Sequence, residues 1–509
     1  MFEKYAVLVA YFVFLCLLGF IAARRVRGMK SFVTGNKSLS FWVAAFSAQA
    51  TGESAWLLLG VTGMGAMVGF SAYWIVFGEV LGVFVAWFFM GKRFKRLTDR
   101  YASLTMTDFL VSRFGSTTHT LRILSAVSLI VFVMIYISAQ IDATGSAFEA
   151  FLGWPYMQGA LVGFGIVVVY CVAGGFLAAA WTDMFQGAVM LGCLVVLPIV
   201  AFLAIGDWGV IHAGLEAIDP GLVTVWGSGG ASWMNLATVL GMMLIGLGFL
   251  GSPQVFARLL SIRSEAEIDR GKWVAVLFTF LVDAAAVSVG VLGRYVFTSE
   301  GVDPETVLGN GGQNVMSQLV QVSFPPWIVG LYVAAVLSAI MSTVSSLLVM
   351  AASAVTHDLY AQFTTRSLSD RFAALLCRYA TLCIACGAMA LAIAVALLSP
   401  ERTIFWFAIF GWSGIAATFC PMVILALFWS GFTERGAIAS MLGGFSMTML
   451  SKFVLQDLTG VGPLFQALET MPPSFLFALL LGFLVSLAAP NKPLKQRFLS
   501  ECHAELPDL

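Results

Sequence analysis

The sequence predicts an all-α polytopic membrane protein with about 13 transmembrane helices, and three observations carry that prediction. Of its 509 residues, 60% are hydrophobic and only 11% charged, with a mean hydropathy of +0.93. A water-soluble chain of this length needs far more charge to cover its surface. The apolar residues gather in runs of about 20, the length that crosses a bilayer as a helix. Finally, lysine and arginine crowd the ends of alternate runs, as the positive-inside rule requires.

The runs lie at approximately 5–23, 41–60, 70–91, 123–146, 157–178, 184–205, 232–251, 273–297, 326–355, 376–398, 404–429, 436–456 and 473–489. In the first, Arg24, Arg25 and Arg27 follow the apolar stretch, and no small-residue cleavage site is evident. It reads as a helix with its N-terminus outside, not as a signal peptide. Thirteen spans from that start place 23 of the 27 basic residues on the cytoplasmic side, in loops 24–40, 92–122, 252–272, 357–378 and 430–435 and the tail 490–509. Only Lys4, Arg294, Arg402 and Lys452 remain opposite. The C-terminus is then cytoplasmic, and the short loops and tail point to a bacterial inner (plasma) membrane. Segments 206–231 and 298–325 read as external loops that carry short helices. No loop is long enough for an enzyme domain, so residues 1–509 are expected to form one membrane domain. The formal net charge is zero and no basic tail or aromatic-basic array is present, which excludes nucleic acid as a partner. The eight cysteines are scattered, Cys383 and Cys386 lack a second pair, and the four histidines have no ligand spacing. They read as packing residues.

Five carboxylates fall inside the runs or at their edge: Glu53, Glu79, Asp142, Asp183 and Asp283. No lysine or arginine is expected at the same depth, so these acids call for another cation, a proton or a metal ion. Each also has a plainer reading. Glu79 and Asp283 can be protonated and bonded between helices, and Asp183 can cap a helix. Glu53 sits in SAQATGESAWLLLG (47–60), where Gly52 and flanking hydroxyls predict a locally unwound helix. In VLSAIMSTVSSLLVM (336–350), helical spacing brings Ser342, Ser345 and Ser346 near one face, with Thr343 beside them. Such a stripe can serve helix packing alone. Its density fits a hard cation, which takes hydroxyls and freed backbone carbonyls as ligands.

In GMMLIGLGFLGSPQVFARLL (241–260), Gly246, Gly248 and Gly251 have the spacing of a dinucleotide fingerprint, but no strand or βαβ unit precedes them. With Pro253 they predict a second broken helix, five runs after the first. Paired interruptions point to inverted repeats, runs two to six and seven to eleven, around a midplane binding site. The domain plan is an extra helix at 5–23, repeats at 41–205 and 232–429, two helices within 436–489 and a tail at 490–509.

These motifs, together with GGFLAAAWTDMFQG (174–187), SAIMSTVSSLL (338–348) and SAVTHDLY (353–360), resemble the sodium/solute symporters, and among them the bacterial sodium/proline branch. The resemblance covers nearly the whole chain. It implies a LeuT-type 5+5 inverted-repeat fold with one extra N-terminal and two extra C-terminal helices. It also implies sodium as the transported ion, no cofactor, no enzymatic activity and a small amino acid, proline above all, as substrate. A first sodium would be held by the backbone carbonyls of Ala50, Glu53 and Ala339 and the hydroxyls of Ser342 and Thr343. A second would take Asp183, Ser342, Ser345 and Ser346. The substrate would lie among Gln49, Ser54, Trp56, Tyr136, Ile245 and Phe249.

Two departures stand out. The branch has an aspartate where this chain has Gly52, and the acid here is one residue later, at Glu53. Its carboxylate either replaces that aspartate near the sodium path or faces the substrate amine. The branch also places tryptophan and tyrosine where this chain has Ile245 and Phe249, leaving a more apolar pocket that suits a different or broader set of amino acids. The implied mechanism is alternating access, with sodium and substrate each raising the other's affinity. The membrane potential adds about 2.3 kcal/mol per charge per 100 mV. The rivals are a sodium- or proton-coupled symporter of another small organic solute and a non-transporting sensor on the same fold.

Overall fold

The computed structural model describes residues 2–24, 33–364, 369–399 and 401–503. Arg25, Arg27, Lys30 and Arg366 of the basic loops, and the tail from Ala504 onward, lie outside them. The described residues are helical, and Leu39 with Ile262 forms an isolated parallel bridge.

In chain order, the main helices are α1 (Phe2–Ala23), α2 (Phe41–Gly52), α3 (Thr62–Val68), α4 (Tyr73–Val85), α5 (Thr120–Leu152) and α6 (Tyr156–Ile205). They continue as α7 (Trp233–Met243), α8 (Pro253–Ser261), α9 (Glu265–Phe297), α10 (Pro326–Ser353), α11 (Asp370–Leu398), α12 (Ile404–Phe428), α13 (Glu434–Phe453) and α14 (Met471–Ala488). Among the described residues, eleven helices are long and apolar enough to cross a membrane, and Tyr156–Val169 is a shorter apolar one. The two predicted runs not among the eleven are 41–60, which is interrupted, and 157–178, where the shorter helix Tyr156–Val169 lies. Run 41–60 ends as a helix at Gly52 and resumes as a wide turn over Trp56–Val61. Runs five and six are one helix of 50 residues that bends where Gly175 takes φ +60°, a conformation costly for any other residue. The predicted external loops do carry short helices, at Trp208–Ile218, Pro304–Leu308 and Val315–Ser323.

The two interrupted segments are tied together at one end. Leu39 donates to the carbonyl of Ser261 (3.1 Å) and accepts from Arg263 N–H (2.9 Å), so the start of α2 lies against the end of α8. Basic loop residues there find acids: Lys37 and Lys95 on Asp99, Lys92 on Asp269, and Arg96 on Glu265. Asp108, on the short helix Met106–Phe114, meets His357 Nε2 and Arg122, each at 2.9 Å. Burial pushes its carboxyl up, yet the His357 ring and the Arg122 guanidinium hold it down at about 2.

Between α3, α4, α9 and the turn Leu244–Phe249, backbone touches backbone. A Cβ on Gly78 would stand 1.8 Å from the carbonyl oxygen of Met243, and one on Gly246 1.9 Å from that of Gly78. Gly65 faces the Val287 carbonyl, and Gly290 that of Thr62, at 2.4 and 2.0 Å by the same measure. At these four glycines no side chain fits.

Candidate ion and substrate site

A helix end leaves carbonyls without intrahelical partners, and at the end of α2 three side chains answer them. Ser342 Oγ donates to the Ala50 carbonyl (2.7 Å), and Thr343 Oγ1 to that of Thr51 (3.0 Å). The indole of Trp56 reaches back to the Gly52 carbonyl at 3.2 Å. Ser342 Oγ also lies 3.0 Å from the Ala339 carbonyl on its own helix, α10. Ala50, Ala339, Ser342 and Thr343 are thus brought together in a fully buried seam between α2 and α10. The backbone carbonyl of Thr51 joins them and was not anticipated.

Glu53 caps α2, but its carboxylate turns away from this seam. It meets Glu79 of α4 and Asp283 of α9, with one oxygen of each lying within 4.8 Å of the others.

Two of the four residues expected around a second sodium, Asp183 and Ser346, meet a charge the sequence reading put elsewhere. Arg258, on α8, is 1% exposed and donates to Asp183 Oδ2 (2.9 Å), Ser47 Oγ (3.0 Å) and Ser346 Oγ. The expectation that no arginine lies at the depth of the acids fails here. The apolar run was ended at Leu250–Gly251, so Arg258 was assigned to a loop, whereas the helix resumes at Pro253 and carries it inward. Ser345 bonds only back along α10, to the Ser342 carbonyl. Asp142 also has a basic partner: Arg402 Nε lies 3.1 Å from it, and Tyr156 Oη 2.6 Å.

Of the substrate residues, five cluster. Tyr136 and Gln140, both on α5, donate to Ser54 Oγ at 3.1 Å each, and Gln140 Oε1 accepts from the Ala55 N–H. Trp412 of α12 stands 5.2 Å from the Phe249 ring and 6.3 Å from that of Tyr136, and its indole donates to the Ile245 carbonyl at 3.2 Å. Trp56 packs on Phe405 of the same helix. Gln49 does not join them; its amide goes to Thr279 on α9. The pocket therefore keeps an indole, supplied by α12 in place of the run at 232–251. Gly248 makes room for it, since a Cβ there would lie 2.2 Å from the ring. Trp412 and Gln140 were missed, although the stretch Phe410–Gly414 (FGWSG) marks a close-packed aromatic.

The second break repeats the logic of the first. Its freed carbonyls are met from α12, Ile245 by Trp412 and Gly248 by Cys420 Sγ (3.4 Å), with Ser252 Oγ also on Gly248. A small cavity of about 50 Å³ is lined by residues that include Ser346, Arg258, Thr105 and Asp358. A larger one, of about 330 Å³, is lined by residues that include Met64, Trp226, Met242 and Trp406.

Comparison with known proteins matches this arrangement. The chain is 33% identical to the high-affinity proline transporter PutP of Bacillus subtilis over 95% of its own length and 98% of that protein's. It is 31% identical to the sodium/proline symporter of Escherichia coli, over 95% and 93%. Among solved structures, a substrate-bound, outward-open sodium-coupled sialic acid symporter superposes with a TM-score of 0.79 at 17% identity, covering 97% of this chain and 99% of that one. MhsT in complex with L-phenylalanine gives 0.53 at 14% identity, covering 88% and 98%. The fold is therefore the LeuT type, as the resemblance implied. The profile of the sodium:solute symporter family matches residues 32–444, well over half of the sequence. This multi-pass membrane chain belongs to the sodium:solute symporter family.

Proposed function

We propose that this protein couples inward sodium movement to uptake of proline or a similar small amino acid by alternating access. The observation that carries the reading is the seam in which Ser342 and Thr343 bond the Ala50 and Thr51 carbonyls across two helices. Two hydroxyls and the carbonyls of Ala50, Thr51 and Ala339 line that seam, and neutral oxygens of this kind suit a monovalent hard cation. Sodium bound at that seam ties α2 to α10, and the Glu53–Ser54 break then fixes Ser54, Trp56 and Tyr136 for substrate. Ser54 and Gln140 offer polar contacts to a zwitterion, and Ile245, Phe249 and Trp412 an apolar wall. Arg258 provides, beside Asp183, the positive charge that a second sodium would bring, so the cycle carries one sodium through this region. The repeats are taken as 41–205 and 232–429, each opening on a broken helix, with the N-terminus outside and the C-terminus cytoplasmic. Names and functions of the relatives, proline transporters and symporters, support the substrate class.

The test is uptake of labelled L-proline into proteoliposomes under an inward sodium gradient, against lithium, proton and no-gradient controls and a panel of competing amino acids. Sodium-driven accumulation is expected. Loss of sodium dependence would overturn the coupling; displacement by another amino acid but not proline would change the substrate. In the same assay Ser342→Ala is expected to raise the sodium concentration for half-maximal uptake about 10- to 100-fold, because it removes a ligand to a charged group worth roughly 1.5–3 kcal/mol. An unchanged sodium response would remove Ser342 from the ion site.

A further inference from the structure

We propose that Glu53, Glu79 and Asp283 form a separate cation site that binds a hard inorganic cation through carboxylate oxygens. This goes beyond the uptake reading, since it concerns ion binding in the absence of substrate.

Three carboxylates arrive from three places in the chain: the break after α2, the middle of α4 and the middle of α9. All three side chains are 0% exposed. Among the described residues, no donor from outside the triad meets any of their six oxygens. One oxygen from each lies within 4.8 Å of the other two, and some point is then no more than about 2.8 Å from all three. That spacing needs only a slight contraction to reach the 2.3–2.6 Å of a carboxylate–calcium bond, with sodium of similar size. A buried carboxylate without a partner is strongly disfavoured as a charge, and three together repel one another, so a cation among them relieves both costs.

One helical turn before Glu53 lies a further unpartnered oxygen. Gln49 precedes Glu53 by one helical turn and donates its amide to Thr279, which precedes Asp283 by one turn. Its Oε1 is buried and has no partner among the described residues. The acids converge from three helices around a point, an arrangement that encloses a bare ion; an ammonium carried on a longer molecule would need one side left open. The site is also distinct from the hydroxyl seam, which uses Ser342 and Thr343 of α10; α10 contributes no carboxylate to the triad.

The experiment is isothermal titration of the purified full chain at neutral pH with sodium chloride and, separately, calcium chloride, against choline chloride. It uses the Ser342→Ala/Thr343→Ala protein, so that the seam contributes no hydroxyl ligands, and the same protein with Asp283→Asn or, independently, Glu79→Gln added. Thermal unfolding of each variant confirms that it is folded, and two independent carboxylate variants guard against one that is not. Saturable binding is expected in the seam-deficient protein, weakened at least about tenfold by either carboxylate substitution. Sodium as the ion that binds makes the site a second transported-ion site; calcium makes it a resident structural one. Binding of neither ion, or binding untouched by both substitutions, overturns the proposal and leaves the three acids holding protons. Failure of proline uptake has no bearing on this readout, so the two readings stand or fall separately.

Discussion

Arg258→Ala is expected to be the most damaging single substitution in the membrane core. The guanidinium is 1% exposed, and it satisfies Asp183, Ser47, Ser346 and the Gln254 carbonyl at once. Removing it strands the Asp183 carboxylate, 0% exposed, with only neutral hydroxyls, those of Ser47 and Thr51, beside it. Truncating one partner of a buried pair costs roughly 3–5 kcal/mol, mainly for the charge left behind. Thermal unfolding in detergent should show a large loss, and the double variant Arg258→Ala/Asp183→Asn should recover much of it. A second consequence separates charge from packing. Asp183, Ser342, Ser345 and Ser346 then lack a resident cation, so sodium should raise the unfolding temperature of Arg258→Ala more than that of the parent protein, while choline should not. Equal sodium responses would mean that the guanidinium does not stand in for an ion.

The second large effect is expected at Gly52. A Cβ there would lie 2.7 Å from Phe249 Cε1 and 2.9 Å from Cζ, closer than such atoms approach. The Phe249 ring is 1% exposed and packed against Trp412, so it has nowhere to swing. Gly52→Ala therefore overpacks the pocket wall by roughly 1–3 kcal/mol. In uptake this corresponds to about a 5- to 150-fold weaker apparent affinity for substrate, and Gly52→Asp should be worse. Phe249→Leu removes the two colliding carbons, so adding it to Gly52→Ala should restore part of the affinity. No rescue would disconnect the two positions.

What the sequence made legible was local chemistry. The break at Glu53–Ser54 and the hydroxyls at 342–346 were readable because glycine, serine and threonine inside an apolar run have few other uses. Gly246, Gly248 and Gly251 marked the second break for the same reason. Contacts between distant segments were not readable. Each acid of the triad stood out alone, but nothing in the chain order says that Glu53 turns toward Glu79 and Asp283. Gln49 lay in the right motif, and its side chain nonetheless crosses to Thr279. Arg258 was misplaced because hydropathy treats a charge after Gly-Ser-Pro as the start of a loop, whereas proline at the first turn of a helix begins α8 there. Trp412 replaces the indole missing from 245–249 from another part of the chain, a substitution visible only once α12 is seen beside the break.

The glycine contacts have a mechanical consequence. Side chains between two helices act as a compliant layer, because rotamers can change as the helices shift. Where Gly78 and Gly246, or Gly65 and Gly290, bring backbone directly against backbone, that layer is absent. Segment 243–249 is thus keyed to α4, and α3 to α9, as two stiff levers, with Glu79 built into the first and Asp283 into the second. Any stroke of the protein must then be taken up outside the levers. The hydroxyl-to-carbonyl seam between α2 and α10 is well suited to that role, since its bonds can be exchanged one at a time, which makes the ion a latch on a moving edge.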